Sequence, residues 1–416
     1  MSRHHPHFFR SERGSSSGSA FGAAQGKSSE RDGSGAAGLS AVSGRRVMVT
    51  GAGGSIGSAL VTQIAAQRPS HLCMLDSCEF NLYRVSYEVE RSRPAFTWTA
   101  RIGDVRDETA MRHLFLMERP EVVFHAAALK HVPLLEDQNV VEAVRTNVLG
   151  TKITLDLSCA FGADFLMIST DKAVNPSSCM GATKRIAEVY VHDRSRRFGE
   201  IRASVVRFGN VLGSSGSVVP LFQKQIEEGG PVTVTHPEMT RFLMTIDDAV
   251  RLTLAAASLP QKGFSVYVLD MGDPVRIFDL AIYMIKQRGL RPFKDIDIKF
   301  VGVRPGEKLR EELSYDWETL TPTTTPGVRC ASPNFNPQSK LSSIDALLAA
   351  AEAHHAGDVK AVMTDIVPEL LETKNSAERD AKCWVTSRPK AASLQTLAGW
   401  WPPGAPALTD KRMEPI

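Results

Sequence analysis

The chain has 416 residues, 43% of them hydrophobic, and a formal net charge of +3; this composition excludes disorder of the whole and predicts a globular protein with a sizeable buried core. Its charges are spread along the chain without a basic block, so electrostatics gives no reason to expect nucleic acid or an anionic membrane surface as a partner. The six cysteines lack metal-ligand spacing, no apolar run reaches about 18 residues, and no secretory signal is visible, so we expect a cytoplasmic protein without a metal site or membrane insertion.

The composition of the chain changes after about residue 44. Residues 1–44 are rich in Ser, Gly and Arg and predict a flexible arm. From there, short apolar runs alternate with helical stretches, which is typical of parallel strands covered by helices on both faces. We predict an α/β fold, a Rossmann-like doubly wound parallel sheet with a smaller C-terminal substrate-binding domain. Residues 45–215 form the expected dinucleotide-binding domain, residues 216–335 mainly the substrate-binding domain with some segments returning to the sheet, and residues 336–416 a helical extension and tail.

The stretch TGAGGSIG stands between a predicted strand and a predicted helix. Its glycines recur every three residues, and Ile56 takes the place of the third glycine in a Gly-x-Gly-x-x-Gly pattern. One glycine permits a tight turn, another lets backbone N–H groups approach a pyrophosphate, and the helix start offers a positive dipole end. An ordinary strand-to-helix turn would look the same. The candidate cofactor-binding residues are Gly51, Gly53, Gly54, Ser55, Ile56 and Gly57.

Acidic residues close the next two predicted strands. Asp76 ends the second strand, where a carboxylate can accept hydrogen bonds from adenosine ribose hydroxyls. This favours NAD over NADP, although Arg84 follows nearby and is a candidate for binding a 2′-phosphate, so we expect NAD(P) with a slight preference for NAD. Asp104, followed by Val105, ends the third strand and either contacts the adenine amino group or serves as a turn or N-cap aspartate.

The fourth predicted strand ends in FHAAALKH. Ala126, Ala127 and Ala128 either allow close approach of the backbone to a cofactor or serve tight sheet packing. Lys130 and His131 begin the following loop at the carboxyl edge of the sheet, where folds of this kind bind ligands. Lys130 is therefore a candidate substrate contact.

The fifth predicted strand leads into ISTDKAVNPSSCMGATKR. Asp171 and Lys172 follow the strand directly, and an ordinary solvated Asp–Lys pair is the alternative reading. Met180 and Lys184 lie one helical turn apart and share a helix face. A phenol at position 180 would be able to take a proton from a sugar hydroxyl, which a thioether cannot do; simple helix packing is the alternative role for Met180.

Seven motifs in one order, spanning roughly residues 45–335, carry a family resemblance: strand–TGAGGSIG–helix, DVRD, STDKAVNP, MGATKR, RFGNVLGSSGSVVPLF, TRFLMTIDDA and RPGEKLREEL. They resemble the extended short-chain dehydrogenases/reductases, and more narrowly the bacterial UDP-N-acetylglucosamine 4,6-dehydratases of capsule, O-antigen and flagellin-sugar synthesis. The resemblance implies a redox-neutral elimination. Hydride leaves carbon 4 of the sugar for the nicotinamide, a base removes the proton at carbon 5, water departs from carbon 6, and the hydride returns there.

The resemblance also implies roles for the residues of the fifth strand end. Asp171 matches the acid and Lys172 the base; an acid role requires a raised pKa, and a base role a lowered one, which Lys184 and the positive nicotinamide are expected to promote for Lys172. Lys184 matches the lysine that binds the nicotinamide ribose. Thr170 takes the position of the hydroxyl residue that holds the reacting sugar oxygen, with Ser169 as the alternative.

Met180 departs from the wider superfamily, which carries a tyrosine there, although the large dehydratases of this family also have methionine. The proton of the carbon 4 hydroxyl must then go to Asp171, to Lys172 or to water relayed by Lys184. The sequence leaves these three possibilities open.

A UDP-sugar brings two phosphate charges, which call for cations or backbone donors. The resemblance points to Arg241, Arg304 and the amide of Asn210, with Glu307 accepting from the uridine ribose. The Gly/Ser loop at 213–217 is either a substrate loop or a connector without function.

The expected function is an NAD(P)-dependent 4,6-dehydratase, a lyase, acting on UDP-N-acetylglucosamine. A nucleotide-sugar epimerase uses much of the same machinery, but the Asp171–Lys172 pair favours elimination because 4-epimerisation needs no acid for a departing hydroxyl. A non-catalytic NAD- or UDP-sugar-binding protein is the rival class, motivated by Met180. By analogy with the superfamily, we also expect a homo-oligomer.

Overall fold

The computed structural model describes residues 40–197, 201–214, 216–260, 263–332 and 340–371. The expected arm therefore lies mostly outside the described residues, as does the end of the expected tail. The last residues of that arm are packed: Ala41 and Val42 are buried against the sheet, and Ser40 Oγ donates a hydrogen bond to Gln67 Oε1 at 2.6 Å. Packing thus begins before residue 44, because two apolar side chains find a place in the core.

The structure alternates strands and helices along the chain. The strands of the described residues are β1 (Arg46–Thr50), β2 (His71–Asp76), β3 (Thr97–Ile102), β4 (Val122–His125), β5 (Asp164–Ile168), β6 (Arg202–Arg207), β7 (Asn210–Val211), β8 (Val232–Val234), β9 (Thr240–Arg241), β10 (Leu243–Met244), β11 (Gly263–Leu269), β12 (Val275–Arg276), β13 (Ile298–Phe300), β14 (Thr319–Pro322) and β15 (Val328–Ser332). The helices are α1 (Ser55–Ala66), α2 (Glu79–Arg91), α3 (Glu108–Glu118), α4 (Val132–Leu135), α5 (Val140–Val144), α6 (Gly150–Phe161), α7 (Cys179–Arg197), α8 (Val218–Glu227), α9 (Ile246–Ala257), α10 (Ile277–Gln287), α11 (Leu341–Glu352) and α12 (Ala356–Ile366). A π-helical turn, Arg145–Leu149, joins α5 to α6, and a 3-10 turn spans Asp171–Ala173.

A nine-stranded sheet in the order β14-β15-β11-β6-β5-β4-β1-β2-β3 is the framework. The strands from β11 to β3 in that order pair in parallel, and β15 and β14 add an antiparallel edge. The order of β1 to β6 is that of two mononucleotide-binding halves that meet between β1 and β4, where such sheets bind ligands at their carboxyl edge. The predicted fold class is confirmed.

Helices cover both faces of this sheet. In β1, Val47 and Val49 belong to one core and Met48, between them, to the other, as expected when successive side chains point to opposite faces. α1, α2 and α9 pack on the first face, and α3, α5, α6 and α7 on the second. Burial on both faces explains why the strands read as unbroken apolar runs.

A smaller lobe has an apolar core of its own, built from α8, α10, β8 and β13. Phe222, Val232 and Ile298 are buried in it. The chain enters this lobe from the carboxyl end of β6, so the lobe adjoins the ligand-binding edge of the sheet. Within residues 216–335, the segments that return to the large sheet and its helical layer are α9, β11, β14 and β15.

α11 and α12 pack on α5 and α7. Their inward side chains Ile344, Leu347, Val359 and Met363 are buried. As a result α7 is buried on almost all sides, which is the position of a core helix rather than a surface helix. No helix in the described part of the chain is long and apolar enough to cross a membrane.

Candidate active site

The glycine turn after β1 is shaped for close approach. Gly51 has φ +66°, and a Cβ placed on it would lie 2.7 Å from Ala127 Cα at the end of β4, so only glycine fits there. Gly54 adopts an extended conformation as the N-cap, and α1 begins at Ser55, followed by Ile56. Gly57 packs against the backbone of Gly51. The N–H groups of the first turn of α1 therefore lie beside the ends of β1 and β4.

Asp76 is tied to this turn from the end of β2. Its Oδ2 accepts a hydrogen bond from the Gly53 N–H at 2.8 Å, and its Oδ1 accepts one from the Cys78 N–H at 2.8 Å. Each carboxylate oxygen has further lone pairs, so Asp76 can still accept from two hydroxyl groups. A cleft of about 460 Å³ opens here, and its lining includes Gly51, Gly54, Asp76, Asp104, Val105, Ala126, Ala127 and Ala128.

Asp104 forms a turn in this structure. Its Oδ1 accepts a hydrogen bond from the Arg106 backbone N–H at 2.9 Å, and its Oδ2 accepts from Arg106 Nε at 2.8 Å. The hydrogen bonds from the Arg106 side chain lower the pKa of Asp104, and Arg106 also pairs with Glu142. Asp104 thus has the turn role foreseen as its alternative, and it lines the cleft as well.

Arg84 is not brought to the cleft. Its guanidinium lies on the exposed side of α2, 6.0 Å from the centre of the Phe80 ring, and it is not among the described lining residues of the cleft. The candidate contact to a 2′-phosphate therefore has no support in this geometry.

The turn after β5 holds the central acid–base pair. Thr170 Oγ1 accepts from the Lys172 N–H and donates to Asp171 Oδ1 at 2.8 Å. Asp171 is wholly buried; its Oδ1 also accepts from Lys172 Nζ at 3.0 Å, while its Oδ2 has no partner among the described residues. An unpartnered buried carboxyl oxygen is costly unless it serves a ligand or carries a proton.

Lys172 connects three segments of the chain. Its Nζ lies 3.2 Å from Asn210 Oδ1 and 3.5 Å from Glu311 Oε1, in addition to its bond with Asp171. Glu311 Oε1 lies 3.9 Å from Arg241 Nε. Two candidate substrate contacts, Asn210 and Arg241, are thereby brought together with the acid–base pair.

Glu311 was missed by reasoning from the sequence. It belongs to the RPGEKLREEL motif, from which Arg304 and Glu307 were chosen as candidates. Those two form a local turn, with the Glu307 N–H donating to the Arg304 carbonyl at 3.1 Å, and Arg304 is exposed. The same motif contains two further acids, Glu311 and Glu312, and nothing in the sequence showed that Glu311 is the one that turns inward.

The charges of this cluster change the expected pKa values. Burial raises the pKa of Asp171; the charge of Lys172 opposes this shift, and the charge of Glu311 adds to it. The resulting raised pKa is what an acid role requires. Burial alone would lower the pKa of Lys172, but the carboxylates of Asp171 and Glu311 together raise it. The expectation of a lowered pKa for Lys172 is therefore wrong for the protein without ligands, because two acids flank the amine.

α7 packs directly on this turn. Gly181 lies against the carbonyl of Lys172 with no room for a Cβ. Met180 is buried among Val132, Leu135 and Ala143, which supports the packing role for the methionine. Lys184 is buried, and desolvation lowers its pKa to about 8 against the opposing effect of Glu188.

Ser169 faces away from the acid–base pair. Its Oγ donates to Glu188 Oε1 at 2.7 Å inside a buried ionic network. Glu188 in turn binds Arg207, whose Nη2 lies 2.6 Å from Glu188 Oε2. The hydroxyl beside Asp171 is that of Thr170, so Thr170 is better placed than Ser169 to contact a sugar oxygen.

The loop after β4 is fixed by a residue that the sequence did not reveal. The side chain of Asn147, in the π-helical turn, accepts from the Leu129 N–H at 2.8 Å and donates to the Leu129 carbonyl at 3.0 Å. Lys130 follows and is exposed. No spacing in the sequence marks Asn147, and π-helical turns occur often at functional sites.

The described part of the Gly/Ser loop at 213–217 reaches the segment after β4. Gly216 lies against the ring of His131, so the loop and the end of β4 are neighbours. Ser215 lies outside the described residues.

The strand order, the glycine turn and the acid after β2 define an extended short-chain dehydrogenase/reductase fold. The model of a family described as polysaccharide biosynthesis protein matches residues 47–333. The chain belongs to this family, which confirms the resemblance drawn from its motifs.

Two relatives show the range of this similarity. The capsular polysaccharide biosynthesis protein CapD of Staphylococcus aureus is 49% identical over 272 residues, which cover 65% of this chain and 45% of CapD. The UDP-glucose 4-epimerase of Rickettsia massiliae is 35% identical over 278 residues, which cover 65% of this chain and 77% of that protein. The chain thus spans about half the length of CapD.

Solved structures agree with the fold. Pen from Bacillus thuringiensis matches with a TM-score of 0.64 and 30% identity, covering 71% of this chain and 89% of Pen. The UDP-glucose 4-epimerase of Thermus thermophilus, solved in complex with NAD, matches with a TM-score of 0.54 and 22% identity, covering 65% of this chain and 90% of the epimerase. The second likeness concerns the fold alone.

Proposed function

We propose that the chain is a nucleotide-sugar 4,6-dehydratase that converts UDP-N-acetylglucosamine, or a close relative, to a UDP-4-keto-6-deoxy sugar for a surface polysaccharide such as capsule or O-antigen. The similarity to CapD supports the pathway, and that to a UDP-glucose 4-epimerase supports a UDP-sugar substrate. One observation carries the reaction type: the buried carboxyl of Asp171 has an unpartnered oxygen beside the ammonium of Lys172. Assembly as a homo-oligomer stays a prediction.

The pair of Asp171 and Lys172 favours elimination over epimerisation. Loss of water from carbon 6 needs an acid for the departing hydroxyl and a base for the proton at carbon 5. Burial raises the pKa of Asp171, which is the direction that a role as acid requires. Lys172 is the base in this proposal, once its own proton has been lost to solvent. A 4-epimerase needs no proton donor for a leaving group.

The cleft beside the glycine turn suits NAD. Gly51, which has no side chain, leaves room for the pyrophosphate, and the N–H groups at the start of α1 would bind it. The carboxylate of Asp76 would bind the adenosine ribose. When bound there, NAD supplies a reversible acceptor for the hydride of carbon 4. The exposed position of Arg84 supports NAD rather than NADP.

Lys184 is our choice for the group that relays the proton of the carbon 4 hydroxyl. Met180 has no titratable atom and is packed among apolar side chains. Lys184, one turn further along α7, has a pKa of about 8 because of its burial. A fraction of this amine is neutral near physiological pH and can accept a proton, directly or through water.

Arg241 and Asn210 adjoin the acid–base pair and are the proposed contacts to the substrate. Arg304 and Glu307 precede Glu311 in the same motif, with Arg304 exposed. Lys130 follows β4, where Gly216 lies against the ring of His131. These groups are proposed to surround the uridine diphosphate, since its charges require cations and N–H donors.

The direct test is product analysis. Purified protein incubated with UDP-N-acetylglucosamine and NAD is expected to yield a nucleotide sugar lighter by one water, measured by mass spectrometry. In D₂O the product should retain one deuterium at carbon 5, because the proton removed there is replaced from solvent.

Two other results would overturn the proposal. An isomer of unchanged mass would make the chain an epimerase, in line with its Rickettsia relative. An unaltered substrate, together with measurable binding of NAD or the UDP-sugar by calorimetry, would make it a binding protein.

A further inference from the structure

The segment around Glu311 is fastened to the catalytic turn from both sides. Lys308 Nζ donates to the Val174 carbonyl at 2.8 Å, and Tyr315 Oη donates to the Ala173 carbonyl at 3.0 Å. Both donors reach the residues that directly follow Lys172. Glu311 stands between these two anchors, so its place beside Lys172 is set by the backbone of the turn.

A third hydrogen bond completes the attachment. Ser177 Oγ donates to the Gly306 carbonyl at 2.9 Å. The segment from residue 306 to residue 315 thus follows the turn along its length, and a carboxylate fixed in this way has little freedom to leave the amine.

The surroundings of Glu311 are strongly charged and closed to solvent. Glu311 is only 8% exposed. Its Oε1 lies 3.5 Å from Lys172 Nζ and 3.9 Å from Arg241 Nε, while its Oε2 has no partner among the described residues. The charged groups that face this cluster are Asp171 and Lys172 from the turn, Arg241 from β9, and Lys308 from the segment itself.

We propose that Glu311 is a positioning residue for the Asp171–Lys172 pair, whose carboxylate holds the ammonium of Lys172 and sets the pH range in which the pair can exchange protons with a sugar. This inference rests on the proposed function for its catalytic meaning. It adds a third ionisable group, supplied by a distant part of the chain, to the two that follow β5.

The electrostatics of the cluster give the proposal a direction. A negative charge disfavours proton loss from any neighbour, so it raises the pKa of an acid and of an ammonium alike. Burial raises the pKa of Asp171, and Glu311 adds to this; burial lowers that of Lys172, and Asp171 and Glu311 more than reverse this. Removing the charge of Glu311 should therefore lower both pKa values together.

The experiment measures kcat/KM against pH for the wild type and for Glu311→Gln, which keeps the shape and removes the charge. Because the coupled pair titrates in two steps that give a bell-shaped profile, we expect both limbs to move to lower pH by about one unit or more in the variant. Glu311→Asp keeps the charge but withdraws it, and its shift should be smaller. A loss of activity without movement of the limbs would overturn the proposal.

Glu312→Gln is the matched control. Glu312 is the next residue and also pairs with Lys308, at 3.2 Å, but its side chain is 46% exposed. Its removal should leave both limbs in place. An equal shift in Glu312→Gln would mean that general surface charge sets the profile, and would overturn the role of Glu311.

A second readout needs no turnover. In protein labelled with ¹³C at lysine Cε, the signal of Lys172, assigned by its loss in Lys172→Arg, should titrate at lower pH in Glu311→Gln than in the wild type. Glu311→Asp serves here as well if the glutamine variant does not fold. An unchanged midpoint overturns the proposal even if the wild type is a dehydratase. A shifted midpoint in a protein that does not release water leaves the role of Glu311 intact and rejects the dehydratase.

Discussion

Asp171 combines features that stability alone does not explain. It is wholly buried and leaves one carboxyl oxygen without a partner among the described residues, and desolvation of that kind opposes ionisation. Groups with strongly perturbed pKa values are concentrated at functional sites. The cost of burying Asp171 is understandable if its proton is used on a substrate.

Replacing Asp171 by asparagine separates function from stability. The folded-state pKa of Asp171 is raised, so its ionisation above the unfolded-state value of about 3.9 opposes folding, and asparagine cannot ionise. At pH 8 we expect Asp171→Asn to lower kcat by about 10²- to 10⁴-fold. The melting temperature should change little, because removal of a buried charge offsets loss of the ion pair with Lys172, which keeps Glu311 as a partner. The measurements are product formation by mass spectrometry and calorimetric unfolding.

The control for this variant is Asp270→Asn. Asp270 is half exposed and lies 3.8 Å from Arg329, so its replacement should change neither kcat nor the melting temperature appreciably. If Asp171→Asn instead melted several degrees lower and kept its kcat, Asp171 would be a structural ion-pair partner and no acid.

Helix α7 is the element that links the site to the core. Met180, Lys184 and Glu188 stand four residues apart and so form one stripe along the helix. Met180 packs among apolar side chains, and Lys184 is a buried amine. Glu188 binds Ser169 and Arg207. Arg207 is wholly buried and also binds Glu318, 2.7 Å away. The position of Lys184 thus depends on an ionic network one turn below it.

Glu188→Ala should destabilise the fold strongly. The change removes one of the two carboxylates that bind Arg207 and also a carboxylate that pairs with Arg185. Removing one member of a buried pair costs about 3–5 kcal/mol, because positive charge is then left in excess. Urea unfolding followed by circular dichroism measures this loss.

Glu108→Ala is the comparison on the surface. Glu108 pairs with Arg112 on α3 at 2.8 Å, and both side chains are exposed, so its loss should cost at most about 1 kcal/mol. Equal losses for Glu108→Ala and Glu188→Ala would contradict the importance assigned to the buried network.

At the scale of the whole molecule, the sequence predicted those features of the fold that depend on local patterns of residues. Apolar runs alternating with helical stretches indicated the parallel sheet, since strands buried on both faces lack polar alternation. Asp76 was a candidate because residues at the carboxyl ends of parallel strands meet at one edge, and Asp171 was a candidate because its motif resembles that of the family. The glycine turn was recognised because its glycines recur every three residues between a strand and a helix. Gly51 is required there because a side chain would not fit.

What depends on distant contacts was not predictable. The direction of the pKa shift of Lys172 was wrong because the carboxylates of Asp171 and Glu311 together outweigh the effect of burial, and Glu311 comes from a distant part of the chain. Asn147 was missed because its bonds to Leu129 require a π-helical turn that no spacing rule marks. The packing of Ala41 and Val42 was likewise hidden in a stretch of low hydrophobicity.

α11 and α12 extend the core beyond the sheet and its two helical layers. Together they cover the outer side of α5 and α7 with buried side chains such as Leu347 and Met363. Since α7 carries Lys184, α11 and α12 support the helix that reaches the site, although they contribute no catalytic residue themselves. If this packing is part of one core, it should unfold together with the sheet.

Leu347→Ala tests whether the pair belongs to the cooperative unit. Leu347 is wholly buried, and replacing a buried leucine by alanine costs about 2–5 kcal/mol. In urea, circular dichroism should show one transition at a lower midpoint with an unchanged slope, whereas Ser342→Ala, at an exposed position of the same helix, should leave the midpoint in place. An early separate transition in Leu347→Ala would mean that α11 and α12 open independently, and then the burial of Lys184, with its pKa of about 8, could not depend on them.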